Sequence, residues 1–341
     1  MNDTIQNLEN VNVRIGRNVL TGTPRVSIVI PAYNSAEFIA ETLDSVLAQK
    51  FREYEIIVVN DGSPDTEKFE REIRTRLEEI IYIKQRNAGA GPARNLAIRH
   101  ARAELIAFLD ADDIWLPEYL AKQYVYLNRN ELDMVYCDAT LFGDRSAYRR
   151  TFMETAPSDG VADFDAILDL RCNVITSGTV ARRDQLMEAG LFESERVRAH
   201  DFHLWLRMAK LGAKIGYQRN VLLKYRVHPA SLSGDAISRL EREISAFQRV
   251  ARTIDLSKAQ QERVAKLITR LEADLAVEQG KTHLLRGEYR EAVVAFRVAN
   301  RYRRSVKLAA VVLAARFAPA SLVRYFRKYR FEDLALVRHT F

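Results

Sequence analysis

Three carboxylates stand within four positions in Asp110-Ala111-Asp112-Asp113. The apolar run Leu105 to Leu109 leads into them, and Ile114-Trp115-Leu116-Pro117 follows. A run so short, continuous and apolar reads as a buried parallel strand, because a half-exposed strand would alternate. The carboxylates then sit at a strand's carboxyl end, where open α/β sheets bind ligands. Like charges held that close repel one another. A divalent cation removes the repulsion, and Asp-x-Asp offers the hard oxygens that Mg²⁺ or Mn²⁺ takes. The plain alternative is a solvated turn in which an Asp caps a helix beginning near Pro117.

Other runs must position this cluster. Residues 25–30 read as a first strand, ended by Pro31 because proline donates nothing to a central ladder. Asn34 or Ser35 then caps a helix over about 36–49, with Phe38, Ile39, Leu43, Val46 and Leu47 at helical spacing. Residues 54–59 form a second strand that runs into the turn Asn60-Asp61-Gly62-Ser63-Pro64. A charged, exposed helix over about 65–79 and a short strand at 80–83 follow. The Gly-rich stretch from Asn87 to Gly91 opens another helix, which carries Arg94. Strands alternating with helices predict a parallel, doubly wound sheet whose polar loops share one edge.

Past the acidic cluster the reading is a helix to about 127, a strand at 133–136 and loop over 140–160. A short helix over 163–170 and a polar, strand-like stretch at 174–180 come next. Gly190 stops a helix over 183–189, and a helix runs from His200 to near Gly212. The region 214–227 is a last strand, and everything from Ile237 onward is helical.

Composition bounds the answer. The 341 residues are 48% hydrophobic and 28% charged, enough for one large domain with an appendage. Cys137 and Cys172 make neither a disulfide framework nor a zinc pattern, which fits a reducing compartment. The polar start of the chain carries no apolar core of a signal peptide, and no stretch is long and apolar enough to span a bilayer. The net charge of +7 is concentrated at one end: residues 301–341 hold ten Arg and Lys against two acids. With the apolar stretch Leu308 to Ala315 inside it, that tail reads as a basic amphipathic segment for an anionic membrane surface, or else as a capping helix with exposed arginines. No nucleic-acid module accompanies it, so nucleic acid is not expected as a partner.

Taken in order, the motifs resemble glycosyltransferase family 2, the inverting enzymes of GT-A fold. They are Ile30-Pro31-Ala32-Tyr33-Asn34, Val59-Asn60-Asp61-Gly62-Ser63, Asn87 to Asn95, Leu109 to Asp113, Ser177-Gly178-Thr179, Asp201 within His200 to Leu206, and Tyr225-Arg226 with His228 and Ser231. Each is weak alone; their order over about 24–233 is specific. The resemblance implies an α/β fold, Rossmann-like, with a mostly parallel central sheet flanked by helices and an all-α C-terminal extension. It divides the chain into a leader (1–23), a catalytic domain (24–235) and a helical extension (236–341). Within the extension, Gly280, Gly287, Tyr289, Ala292, Phe296 and Ala299 resemble one tetratricopeptide hairpin over about 262–300, ahead of the basic tail, although an ordinary helical hairpin has the same spacing.

The resemblance also implies roles. A UDP-sugar is the donor, and a glycan or lipid-linked hydroxyl the acceptor, in surface polysaccharide synthesis at the cytoplasmic face of the membrane. Asp61 accepts from the uracil or else only caps its turn, with Pro31, Ala32 and Tyr33 around the base; Asn87 and Arg94 are further nucleoside contacts, or Arg94 only pairs with nearby carboxylates. Asp110, with Ala111, lies on the ribose side. Asp112 holds Mn²⁺ or Mg²⁺, His228 joins the metal or diphosphate, and Arg226 adds positive charge. Asp201 is the general base, although the family usually places an acid where His200 stands. Two other readings compete: a metal-dependent nucleotidyltransferase, disfavoured because no Lys-containing Gly-rich loop follows the first strand, and a non-catalytic helical scaffold. Trp115 either stacks on an acceptor sugar or packs.

Overall fold

Short runs of β-branched and aliphatic residues pair into one nine-stranded sheet in the computed structural model, which describes residues 11–19, 22–143, 150–158, 161–193, 200–227 and 236–328. The strands are β1 (Asn12–Ile15), β2 (Val26–Ala32), β3 (Tyr54–Asp61), β4 (Ile81–Gln85), β5 (Leu105–Phe108), β6 (Ile114–Trp115), β7 (Met134–Gly143), β8 (Thr179–Arg182) and β9 (Ile215–Val227). Their order is β1-β4-β3-β2-β5-β8-β7-β9-β6. The strands β4, β3, β2 and β5 are parallel, as the βαβ pattern predicts. From β8 onward the sheet is mixed: β8 is antiparallel to both β5 and β7, β9 is parallel to β7, and β6 closes the edge antiparallel to β9. An unbroken parallel run is thus confined to β4-β3-β2-β5, with β7 and β9 a further parallel pair. The crossovers that enforce parallel pairing are helices, and α1 (Ile39–Leu47), α2 (Thr66–Glu72) and α3 (Ala90–His100) supply them in that run.

Several local readings need correction. Residues 12–15, read as leader, form the edge strand β1 against β4. β2 continues through Pro31 to Ala32, because its pairing with β5 ends at Val29. Pro31 therefore faces β3 alone, and its missing N–H interrupts no second ladder. The stretch read as loop from 140 begins instead as the end of β7 and includes α5 (Phe152–Thr155). Val174 to Val180 is not one strand, since a 3-10 turn over Thr176–Gly178 precedes β8. The charged α2 still buries Phe69, with Ile73 just after it.

The remaining helices of this part are α4 (Tyr119–Arg129), α6 (Phe164–Leu168), α7 (Arg183–Glu188) and α8 (His200–Lys210). Its main core joins Ile28, Ile30, Leu43, Val58, Leu109 and Trp115. Trp115 packs: it is 2% exposed, stacks on Tyr119 and donates Nε1–H to Ser177 O at 2.8 Å. Trp205, Leu204 and Leu206 are likewise core. Both cysteines are buried.

The chain divides into two compact units, 1–228 and 229–341. The second is helical: α9 (Ala236–Thr253), α10 (Lys258–Leu285), α11 (Tyr289–Arg303), α12 (Val306–Phe317) and α13 (Pro319–Lys328). A three-residue turn with Gly287 at φ +80° joins α10 to α11. Gly280 lets the Phe296 ring lie where any β-carbon would come within 2.7 Å of it. Ala292, Phe296, Ala299, Leu308, Ala315 and Leu322 form this unit's own core.

Candidate active site

The acidic turn is built from its backbone outward. β5 delivers Asp110, and β6 takes the chain back into the sheet four residues later. Its carbonyls need donors, and α1 provides them from a buried polar face. The Thr42 hydroxyl lies 3.0 Å from Ala111 O and 2.9 Å from Asp113 O. Ser45 Oγ accepts from Trp115 N at 3.2 Å, and Gln49 Nε2 donates to Leu116 O at 2.8 Å. Thr42 and Ser45 share one face of α1, and Gln49 follows just past its end. Sequence reading missed them because it follows apolar periodicity.

A second clamp comes from β9. Arg226 donates its backbone N–H to Asp113 Oδ1 (2.8 Å) and Nε to Asp112 O (2.7 Å). Its Nη2 pairs with Glu41 at 2.5 Å. The guanidinium stacks between Phe142 and Phe38, 4.3 and 4.6 Å from their ring centroids. Arg226, expected to add positive charge, thus bonds the acidic turn through both its backbone N–H and its Nε.

Within the turn the three carboxylates differ. Asp110 pairs with Arg94, and its N–H donates to Ser177 Oγ at 3.1 Å. Asp112 is half-buried. Burial, then the charges of Asp112 and Asp110, push the Asp113 carboxyl well above the usual range, while Ser177 and the Arg226 N–H pull the other way. Asp113 Oδ2 is buried with no hydrogen-bond partner among the described residues. An orphaned acidic oxygen amid repelling carboxylates fits a hard divalent cation. No three His, Cys, Asp or Glu side chains converge as a cage among the described residues. His228 lies outside the described residues.

Asp61 terminates β3 and is 2% exposed. Its Oδ1 accepts from Gln85 Nε2 (2.6 Å) and Ala88 N (2.8 Å), and Oδ2 from Gly89 N (2.7 Å). It therefore fixes the turn that leads into α3. Gly62, at φ +60°, lets this loop approach: a β-carbon there would lie 2.5 Å from Asn87 N. Asn34 N donates to Ser63 Oγ (2.6 Å) and Ala36 N to Asp65 Oδ2 (2.9 Å), so the loops after β2 and β3 are tied together. Ala32 is buried, Pro31 and Asn87 are half-buried, and Tyr33 is exposed.

Arg94 joins the two sides of the site. Its Nη2 bonds Asp110 and its Nη1 donates to His200 Nε2 at 2.9 Å. The guanidinium lies 5.4 Å from the Phe192 ring centroid. Accepting at Nε2 makes neutral His200 the Nδ1–H tautomer. Burial lowers its pKa below 6.5, with Arg94 assisting against the opposing pull of Asp201. Gly91 makes room here, since a β-carbon would meet His200 Cδ2 at 2.8 Å. Asp201, in the first turn of α8, accepts from Thr176 Oγ1 (2.8 Å) and Phe202 N (2.9 Å). Burial pushes its carboxyl up, but His200, Arg94 and those two donors outweigh it and hold it below 3.8. Neighbouring residues of one 3-10 turn, Thr176 and Ser177, thus hold Asp201 and the Asp110 backbone. Sequence reading flagged the Ser177-Gly178-Thr179 motif but neither Thr176 nor the His200–Arg94 bond. Asp110, Arg94, His200 and Asp201 form one connected group, Asp112, Asp113 and Arg226 an adjoining one, and Asp61 anchors the loop that opens α3.

A family model described as "Glycosyl transferase family 2" matches residues 27–185. The chain is 32% identical over 225 residues to an uncharacterized glycosyltransferase of Rickettsia typhi, covering 65% of this chain and 70% of that one. It is 28% identical over 226 residues to the Escherichia coli UDP-Glc:alpha-D-GlcNAc-diphosphoundecaprenol beta-1,3-glucosyltransferase WfaP, covering 66% and 86%. Among solved structures, S. aureus TarS 1-349 in complex with UDP superposes with a TM-score of 0.52 at 19% identity, over 91% of this chain and 92% of that one. Mannosyltransferase PcManGT from Pyrobaculum calidifontis, in complex with GDP-Man and Mn2+, gives 0.57 at 21% identity, over 94% and 88%.

Proposed function

Since the chain belongs to glycosyltransferase family 2 and has the GT-A fold, we propose that this transferase moves a sugar from a UDP-linked donor to a hydroxyl of a lipid-linked or glycan acceptor, inverting the anomeric carbon. The observation that carries the reading is the Asp110–Arg94–His200 chain with Asp201 beside it. It links the carboxylate just past β5, through Arg94, to His200, the chain neighbour of Asp201. The UDP-glucose and diphosphoundecaprenol-linked acceptor named for the E. coli relative support the choice of substrates, and surface polysaccharide synthesis is the setting they suggest. No helix among the described residues is long and apolar enough to cross a membrane, and we place the enzyme peripherally at the inner face.

In this mechanism Asp201 takes the acceptor hydroxyl's proton as the oxygen attacks. A base poised by hydrogen bonds contributes about 10²–10⁴-fold. Its depressed pKa keeps it ionised, and Thr176 and the Phe202 N–H fix its orientation. Asp61 and Asn87 shape the nucleoside pocket, Pro31, Ala32 and Tyr33 border the base, and Asp110 with Ala111 faces the ribose. Arg94 holds Asp110 in place rather than meeting the donor alone. Asp112 and Asp113, with His228, would hold Mn²⁺ or Mg²⁺, which when bound supplies Lewis-acid stabilisation of the departing diphosphate.

The test is Asp201→Asn assayed with UDP-glucose and a polyprenyl-diphosphate GlcNAc acceptor. The variant should keep its donor-dependent thermal shift and lose turnover by about 10² or more. Undiminished turnover would remove Asp201 from the base role.

A further inference from the structure

The helix α12 is apolar on two opposite faces. Leu308, Val312 and Ala315 point inward and pack in the core of the helical unit. Val306, Ala310, Leu313 and Phe317 point outward; Val306 is 87%, Leu313 58% and Phe317 73% exposed. At 100° per residue these four fall within about 60° of one another, on the side opposite the packed face. Such a stripe on an ordinary surface helix would be polar. The cations are placed just as specifically. Lys307 and Arg316 flank the stripe on either side, both exposed, and Arg316 lies 5.2 Å from the Phe317 ring centroid. From residue 292 to residue 331 the sequence holds ten Arg and Lys and no acid.

We propose that this outer face of α12 is a docking surface for an anionic lipid bilayer, with α12 lying in the interface plane. Apolar side chains in the middle and long cationic ones at the edges match the layering of acyl chains beneath anionic headgroups. At 12 residues the helix is too short to span, and Pro319 opens the separate helix α13 directly after it. A protein partner would have to be acidic and apolar in the same stripe, whereas an anionic bilayer offers both over any length. The inference extends the lipid-linked acceptor reading, because a docked enzyme meets its acceptor in two dimensions.

Flotation of the full chain tests it without turnover, so its failure is separable from failure of the transferase reading. The protein should float with phosphatidylcholine–phosphatidylglycerol vesicles, stay behind with phosphatidylcholine alone, and lose binding as salt rises. Lys307→Glu with Arg316→Glu should weaken binding by at least about tenfold. Leu313→Asn with Phe317→Ser should do likewise, and both pairs should leave the thermal midpoint unchanged because the residues are exposed. The charge pair stands alone if the apolar pair fails to fold. Absence of flotation, equal flotation on neutral vesicles, or variants that float like the wild type would overturn the proposal. So would a dimer, seen by light scattering, that Leu313→Asn with Phe317→Ser disperses, since a second copy would then be the occupant.

Discussion

Replacing Arg226 by leucine should destabilise the catalytic unit by about 2–4 kcal/mol. The charge-assisted bond from Nε to Asp112 O is worth roughly 1.5–3 kcal/mol. Stacking between Phe142 and Phe38 adds about 1–2 kcal/mol. Leucine recovers part of that by apolar contact with the same rings. The Glu41 pair contributes little, because the Glu41 side chain is 59% exposed; Glu41→Gln should therefore cost under about 0.5 kcal/mol. Arg226→Lys keeps the charge but cannot reach both oxygens through a planar fork, and should fall between, at about 1–2 kcal/mol. Urea unfolding followed by tryptophan fluorescence reads the correct unit, because the chain's two tryptophans, Trp115 and Trp205, both lie in it. The reasoning fails if Arg226→Leu unfolds within about 0.5 kcal/mol of wild type while its affinity for the nucleotide-sugar collapses. Arg226 would then serve the donor directly.

Three other perturbations address separate parts of the molecule. Gly62→Ala forces a side chain into a left-handed backbone and against Asn87 N; it should cost about 1–3 kcal/mol in the same fluorescence assay and weaken the thermal shift given by UDP. His200 is held neutral by burial, so its stabilising contribution is present above pH 6.5 and is lost as pH falls through its lower folded pKa. The stability of wild type relative to His200→Gln should accordingly decline only below about pH 6.5, and a gap that is constant from pH 5 to 8 would contradict the neutral assignment. Gly280→Ala pushes a methyl into the Phe296 ring; circular dichroism should show about 1–3 kcal/mol lost from the helical unit while the tryptophan transition stays put.

The legible parts of this protein are those set by neighbours in sequence. Leu105 to Leu109 announces a buried strand, and the acids after it must then sit at a sheet's edge, because both facts follow from side-chain order alone. Gly190 and Gly212 end their helices, each with positive φ. What stayed hidden depends on residues far apart. Nothing local to Glu41 points to Arg226, 185 positions away. Thr42, Ser45 and Gln49 are polar and look like a solvated face until the acidic turn is seen to need donors there. The four-residue β8 is too short to show a period, and its insertion between β5 and β7 is what makes half the sheet mixed. For Asp61 the sequence offers two roles, an acceptor for a base or a cap for its own turn, and the fold shows it holding the turn into α3, a role that a bound base would have to share.

Both native thiols are out of solvent's reach, and burial, the largest influence, pushes the Cys137 thiol up, away from its reactive anion. To a maleimide reagent the folded chain therefore behaves as if it had no cysteine. A single cysteine placed at Ala310 would accept a spin label or an environment-sensitive dye without first stripping the native pair. The outer stripe of α12 can thus be watched directly, in the otherwise unaltered protein, when vesicles are added.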